Sequence, residues 1–333
     1  MSDLANQVHP VDCVTSWPVS IVVPAFNEVG SIDQVLDTIT HEMSANGVQY
    51  ELIVVDDGST DGTAEIVDAK GVRVVRHNYN RGYGSALKTG IRQSRYPLIA
   101  IIDADGTYPA DVLYQLVSCM DQYDMAIGSR TGEHVKIPFF RRPAKWFLKK
   151  LADYLSGFNI PDLNSGLRVF RRELAERFFG IFPSGFSFTT TITLAALTND
   201  YRVRFLPINY YQRMGHSTIR PMRDFLGFIL LIIRLIVYFK PLNVFLPVSA
   251  MLVVIGMTKG AFDYIYQDHF GVASAMVVLA ALQIAFMGLL ADLIMRRTVD
   301  QRRGDAEGEG RRPVAQLGRS RGGRSFPRDR RRA

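Results

Sequence analysis

Cysteine is nearly missing from this chain. Cys13 and Cys119 are the only two, and they fit neither a disulfide framework nor the paired spacing of a thiolate metal site. A disulfide-stapled secreted scaffold is therefore excluded, and a reducing compartment suits the soluble part. Met1 to Pro18 is polar and has no charged start followed by an apolar run, so no secretory signal is expected. Net charge is scarce outside one appendage. The last thirty-three residues hold eleven arginines against four acids, which accounts for the whole formal excess of +7. The high isoelectric point thus describes a tail, and a nucleic-acid-binding fold is not expected. A dinucleotide fingerprint is also incomplete. Gly82-Tyr83-Gly84 has Leu87 where the third glycine belongs and follows the third strand-like run, so it reads as a close-approach loop.

The first two hundred residues alternate short apolar runs with helical spacing. Val19 to Pro24 is a β-branched run stopped by proline, and Ile32, Val35, Leu36 and Ile39 then share one helix face. Glu51 to Val55 is a second strand, and beyond it Thr60 or Asp61 is placed to cap a helix over Ala64, Ile66 and Val67. Val72 to Val75 predicts a third strand and Ala86 to Ile91 a helix. Leu98 to Ile102 predicts a fourth strand, Pro109 to Met120 a helix, and Met125 to Gly128 a fifth strand. Such alternation predicts a mostly parallel sheet covered on both faces.

Ligands of such sheets sit beyond the carboxyl ends of the strands. Glu28, Asp56, Asp57, Asp103 and Asp105 all fall at those ends, and so many like charges would repel one another unless something positive were bound among them. Asp103-Ala104-Asp105-Gly106 has two readings. It is a site where two carboxylates hold a hard divalent cation, Mg²⁺ or Mn²⁺, against the phosphates of a substrate, or it is a solvated Asp-Gly turn closing a strand.

Val22-Val23-Pro24-Ala25-Phe26-Asn27-Glu28, Val54-Val55-Asp56-Asp57-Gly58-Ser59-Thr60-Asp61, Asn80-Arg81-Gly82-Tyr83-Gly84 and Asp103-Ala104-Asp105-Gly106 together resemble the family 2 glycosyltransferases of GT-A fold. Gly128-Ser129-Arg130, Asp162-Leu163-Asn164-Ser165-Gly166-Leu167-Arg168-Val169-Phe170 and Arg213-Met214-Gly215-His216-Ser217 resemble the dolichyl-phosphate mannose synthase and polyprenyl-phosphate glucosyltransferase group within it. The match runs from about Val19 to about Asp224. By this resemblance Asp56 meets the nucleotide base, and Pro24, Phe26, Glu28 and Ala104 line the nucleotide. Asp103 and Asp105 hold the metal under the diphosphate. Arg130, Arg142 and Arg213, with Ser217, contact donor or acceptor phosphates, and Asp162 to Gly166 form the floor beneath the reacting centre. Asp105, Asp162 and Arg130 are the implied catalytic set. Mannose synthases of the group often continue Asp-x-Asp-Leu-Gln-His-Pro, whereas this chain continues Gly106-Thr107-Tyr108-Pro109, so the donor sugar stays open.

Lys136 to Lys150 interleaves aromatics with basic residues, as a segment lying on an anionic bilayer does, or a soluble lid. Phe225 to Pro241 is apolar but holds Arg234 and reads as an interfacial helix. Leu242 to Phe262 and Val272 to Met295 are long enough to cross a bilayer. The connector Asp263 to Gly271 carries acids and no Lys or Arg, whereas both outer flanks are basic. The positive-inside rule then puts the catalytic domain and both termini on the cytoplasmic side. The organisation expected is a polar segment 1–18, a GT-A domain 19–224, an interfacial helix 225–241, a transmembrane hairpin 242–295 and a basic, disordered tail 296–333.

The resemblance implies metal-dependent inverting transfer of one sugar from a nucleotide-sugar donor of UDP-glucose or GDP-mannose type to a polyprenyl or dolichyl phosphate. Membrane lipid is then a partner, and association of identical copies is left open. A processive glycan synthase is an alternative, opposed by the presence of only two spans and the lack of Gln-x-x-Arg-Trp. A non-enzymatic anchor that uses the arginine tail on RNA or acidic lipid is another. These separate cleanly. Deleting Asp300 to Ala333 leaves transfer near normal in an enzyme of this kind, measured as labelled sugar entering lipid extract, and abolishes the function of a tail-dependent anchor.

Overall fold

The computed structural model describes residues 17–131, 150, 153–154, 157–185, 187–211, 233–234, 237–238 and 240–310, with side chains as far as Ile294 apart from residue 267. The chain divides into two units, residues 1–247 and 248–333.

The first unit is built on seven strands. They are β1 (Val19–Ala25), β2 (Tyr50–Asp56), β3 (Arg73–Arg76), β4 (Leu98–Ile101), β5 (Met125–Ser129), β6 (Arg168–Arg171) and β7 (Val203–Pro207). Their order in the sheet is β3-β2-β1-β4-β6-β5-β7. The strands β3, β2, β1 and β4 run parallel, as do β5 and β7, but β6 is antiparallel to both neighbours. The sheet is thus mostly parallel, as expected, with one strand reversed. The sequence reading missed β6 because Arg168-Val169-Phe170-Arg171 is short and charged at both ends. It missed β7 because Val203-Arg204-Phe205-Leu206-Pro207 is half-buried and ends in proline.

Helices pack both faces. On one lie α1 (Ile32–Ala45) and α4 (Leu113–Ser118), the latter flanked by 3-10 turns, and there Ile21, Val23, Leu36, Ile39, Ala100, Leu116 and Val169 form one apolar layer. On the other, α3 (Tyr83–Gln93), α5 (Arg172–Phe178) and α6 (Phe188–Thr198) close a second layer around Val22, Ile53, Leu87, Ile101, Ile127 and Phe170. Alternate residues of each strand feed the two layers, as the pleat requires. The short helix α2 (Thr63–Ala69) begins differently from expectation. Gly62, in the left-handed region, stands at its N-cap, and Asp61 contributes from one residue earlier by accepting from the Thr63 amide and hydroxyl.

Two turns are pressed together beneath α3. Ser85 N donates to Ser184 O at 3.1 Å, and Lys88 Nζ donates to Phe182 O at 2.9 Å. At Gly84 a Cβ would lie 2.3 Å from Pro183 O and 2.8 Å from Gly185 O, so only glycine allows the approach that seats the start of α3.

The helices α7 (Leu242–Gln267), most of which belongs to the second unit, and α8 (Val272–Gly310) form a hairpin. The apolar stretches Leu242–Tyr266 and Val272–Ile294 are each long enough to cross a bilayer. At 1.5 Å per residue each exceeds the roughly 30 Å hydrocarbon thickness. Outward residues such as Met251, Val254, Met276, Leu279, Phe286 and Leu290 are exposed, as lipid-facing side chains are. Between the helices Ser249 Oγ donates to Ala281 O at 2.8 Å. At Gly260 a Cβ would collide with the Phe270 ring, so a small residue lets the two segments meet.

Asp263, expected in the connector, lies on α7 instead. It pairs with Lys259 at 2.8 Å and accepts from Ser274 Oγ at 2.7 Å, so the helix runs on to Gln267 before Asp268 turns it with φ 55°. The backbone of α8 continues helically to Gly310, so the first part of the expected disordered tail is helix; residues 311–333 lie outside the described residues. Most of the expected interfacial helix also lies outside them, as do 136–149 of the basic aromatic segment.

Gly84→Ala is expected to lower stability by about 1–3 kcal/mol through overpacking. Gly30→Ala, where nothing lies within 4 Å of the added carbon, leaves the unfolding temperature unchanged apart from the backbone effect. Thermal unfolding of the two variants side by side checks this.

Candidate active site

The carboxyl ends of β2, β1 and β4 lie side by side, which brings Pro24, Phe26, Glu28, Asp56, Asp103, Ala104 and Asp105 to one edge of the sheet. The loop after β1 is stitched to the loop after β2. Asn27 N donates to Ser59 Oγ at 2.9 Å, Thr60 N to Asn27 Oδ1 at 2.9 Å, and Glu28 N to Thr63 Oγ1 at 2.9 Å. Asn27 takes φ 55°, a left-handed conformation that asparagine tolerates better than most residues. Phe26 is left exposed at the rim, while Asp56 is buried and accepts from Ser59 N at 3.1 Å. Ser31 Oγ donates to Ala104 O at 2.7 Å and ties α1 to the loop after β4.

Asp57 does not join the other acids. It is buried against His77, with Nδ1 to Oδ1 at 2.6 Å, and accepts from Arg81 N at 2.9 Å and Gly82 N at 2.8 Å. It therefore anchors the glycine loop, and the convergent set is Glu28, Asp56, Asp103 and Asp105. Asp103 is held from two sides. Tyr83 Oη, at the first position of α3, donates to its Oδ1 at 2.8 Å, and a Cβ at Gly166 would lie 2.2 Å from its Oδ2. Gly166 N in turn donates to Tyr108 Oη at 2.7 Å. Burial, then the neighbouring Asp105 charge, pushes the Asp103 carboxyl up to about 6. Asp105 accepts from the Thr107 amide at 3.1 Å and its hydroxyl at 2.6 Å.

Across from this pair lies a buried ion pair. Arg130 at the end of β5 donates through Nε to Asp162 Oδ2 at 2.7 Å and through Nη2 to Oδ1 at 2.9 Å, and its guanidinium lies 5.3 Å from the Tyr210 ring centroid. Burial works against the charge of Asp162, but the Arg130 guanidinium overrides it and holds the carboxyl at about 2. Arg168 is fully buried, donating to Ser165 O, to Thr189 O at 2.9 Å and to Thr193 Oγ1 at 3.0 Å, and burial lowers it to about 10.

Asp103 and Asp105 supply oxygen donors only, and among the described residues no group of three or more His, Cys, Asp or Glu is placed to hold a metal. Two carboxylates, one of them raised by burial and by the charge of the other, suit a hard divalent cation that completes its shell with water and substrate phosphate. Such a cation would relieve the repulsion between them. Arg142, Arg213 and Ser217 lie outside the described residues.

Sequence reasoning assigned no chemistry to Tyr83, Tyr108 or Arg168. Tyr83 stood in a glycine loop recognised only for close approach, and Arg168 in a strand that was not expected. Nothing local marks a tyrosine that reaches a carboxylate twenty residues away.

A mixed seven-stranded sheet with paired carboxylates at the edge of its parallel half defines a GT-A-type domain. Residues 20–179 match the model of glycosyl transferase family 2, and residues 240–296 match the GtrB C-terminal hairpin. An uncharacterised protein of Methanocaldococcus jannaschii is 33% identical over 217 residues, 62% of this chain and 87% of that protein. The dolichyl-phosphate hexose transferase of Haloferax volcanii is 28% identical over 204 residues, covering 61% of this chain and 86% of its own length. Among solved structures, glucosyl-3-phosphoglycerate synthase from Mycobacterium tuberculosis, crystallised with Mn²⁺, uridine diphosphate and phosphoglyceric acid, superposes with TM-score 0.53 at 21% identity. The alignment covers 67% of this chain and 78% of that one. The chain belongs to glycosyl transferase family 2 and is a glycosyltransferase.

Asp162→Asn leaves the buried Arg130 without its ionic partner and is expected to cost about 3 kcal/mol at neutral pH. The folded pKa of about 2 lies below the ordinary 3.8. The carboxylate's contribution is therefore complete above about pH 4 and is lost as pH falls through about 2. Thermal unfolding of wild type and variant should differ most at pH 7 and converge as pH falls below about 4.

Proposed function

We propose that this enzyme transfers a single hexosyl group from a nucleotide-sugar donor to the phosphate of a polyprenyl or dolichyl phosphate at the cytoplasmic face of a membrane, inverting the anomeric carbon. The observation that carries the reading is the carboxylate pair Asp103 and Asp105 beside the nucleotide-facing edge of a chain that also bears two membrane-length apolar helices. The Haloferax relative named for dolichyl-phosphate hexose transfer supports the acceptor, and the structural neighbour crystallised with Mn²⁺ and uridine diphosphate supports a divalent cation and a nucleotide donor.

The reaction forms one bond between an acceptor phosphate oxygen and the anomeric carbon and breaks one between that carbon and the donor's diphosphate oxygen. The second pKa of a phosphate monoester is roughly 6, so the nucleophile is largely ionised at neutral pH and needs no base to remove a proton. Asp162 supports this. A carboxylate held at about 2 by a bidentate arginine is a poor base, and its role here is to orient Arg130. A divalent cation held by Asp103 and Asp105, Mg²⁺ or Mn²⁺, would offset charge on the departing diphosphate.

Asp56, Pro24, Phe26, Glu28 and Ala104 hold the nucleotide in this reading. Arg142, Arg213 and Ser217 take the acceptor phosphate, where the planar fork of arginine suits an anion. The basic flanks around the hairpin orient the catalytic domain and both termini to the cytoplasm.

Membranes carrying the protein are incubated separately with labelled UDP-glucose, UDP-N-acetylglucosamine and GDP-mannose. One label is expected in organic extract, and none in any of the three overturns the assignment. Asp105→Ala is expected to reduce transfer about a hundredfold or more, the scale of losing a preorganised charge contact. Wild-type turnover that persists under exhaustive chelation removes the cation from the mechanism.

A further inference from the structure

One side chain in the floor loop has its chemistry half used. Asn164 follows Asp162 and precedes Gly166, so it lies between the Arg130 ion pair and the glycine packed on Asp103. Its backbone N donates to Asp162 Oδ1 at 3.1 Å, which fixes the main chain at that point. Its side-chain oxygen faces α6 and accepts two hydroxyls, Thr189 Oγ1 at 3.0 Å and Thr190 Oγ1 at 2.8 Å. Both threonines are buried.

An amide oxygen has two lone pairs, and two hydroxyl protons fill them. The amide is therefore locked with Oδ1 inward. Nδ2 is left on the other limb of the planar group, and among the described residues nothing accepts its two hydrogens. Asn164 is only half-buried. The neighbouring cations are already engaged: Arg130 with Asp162, and Arg168 with the carbonyls of Ser165 and Thr189.

We propose that Asn164 is a specificity-determining contact for the sugar of the donor, its Nδ2 donating to a hydroxyl oxygen of the transferred hexose. This deepens the transferase reading and rests on it. A phosphate would draw the charged groups of the site, whereas a neutral, donor-only amide matches a neutral acceptor oxygen. The two threonines are positioning residues, because they decide which end of the amide faces the site. A site built to hydrogen-bond one hydroxyl discriminates against a sugar that lacks it or presents it on the other face.

Asn164→Asp tests this with little change in shape. The carboxylate still accepts both threonine hydroxyls but has no hydrogen to donate. Binding to the full-length protein in lipid nanodiscs is titrated with UDP and UDP-glucose, and with GDP and GDP-mannose. The variant is expected to bind the bare diphosphates as wild type does and to lose about tenfold in affinity for the sugar nucleotide that wild type prefers, the scale of one hydrogen bond. Asn164→Ser is the second variant should the aspartate fail to fold, with the same selective loss expected. Thr190→Val, which frees one lone pair and loosens the lock, is expected to give a smaller loss of the same kind. Equal changes for diphosphate and sugar nucleotide, or no change for either, overturn the assignment. Wild type that binds none of the four nucleotides overturns the transferase reading, and this inference falls with it.

Discussion

Repulsion between Asp103 and Asp105 is the constraint around which the catalytic domain is arranged. Two carboxylates one residue apart at the end of a buried strand are unfavourable unless neighbours fix and partly neutralise them. The fold supplies a tyrosine hydroxyl on one, a threonine amide and hydroxyl on the other, and a glycine that lets the opposing loop come into contact. Each support depends on a further element. Tyr83 is aimed by the glycine loop that Asp57 holds and that the turn at Pro183 to Gly185 presses from below. Gly166 is held by Tyr108 and, through Ser165, by the buried Arg168.

Charges deep in this domain follow a consistent rule. Arg130 and Asp162 neutralise one another through two hydrogen bonds, so neither is available for proton transfer. Among the described residues Arg168 forms no ion pair and is satisfied by carbonyl and hydroxyl oxygens, which leaves a positive centre under the loop that carries Asn164. An acceptor that arrives already ionised is compatible with an Asp162 engaged by Arg130. The hairpin applies the same logic in an apolar setting, where Lys259 and Asp263 pair within one helix and Ser274 completes the carboxylate's hydrogen bonding from the other.

Much of this was legible in advance, and the reason is periodicity. The runs at Val19, Glu51 and Leu98 are short, continuous and β-branched, because strands buried on both faces need nothing else. Their carboxyl ends then had to carry the ligand-facing residues. The two membrane-length helices were equally plain from length and hydropathy. What stayed hidden lacked a local pattern. The strands β6 and β7 carry charge or proline and owe their place to neighbours already in the sheet. Asp57 could not be told from Asp56 by the pattern of strand ends, although its carboxylate turns to His77.

The sequence by itself determined the class of fold, the strand ends where acids gather and the helices suited to a bilayer, since each follows from the order of apolar and polar residues along the chain. Tertiary structure alone decided which side chains meet: Tyr83 with Asp103, Arg130 with Asp162, and two threonines with the oxygen of Asn164. Those contacts span twenty to thirty-two residues of chain. They exist only because close packing of the sheet and its helices brings distant segments within hydrogen-bonding distance, and no local propensity encodes that distance.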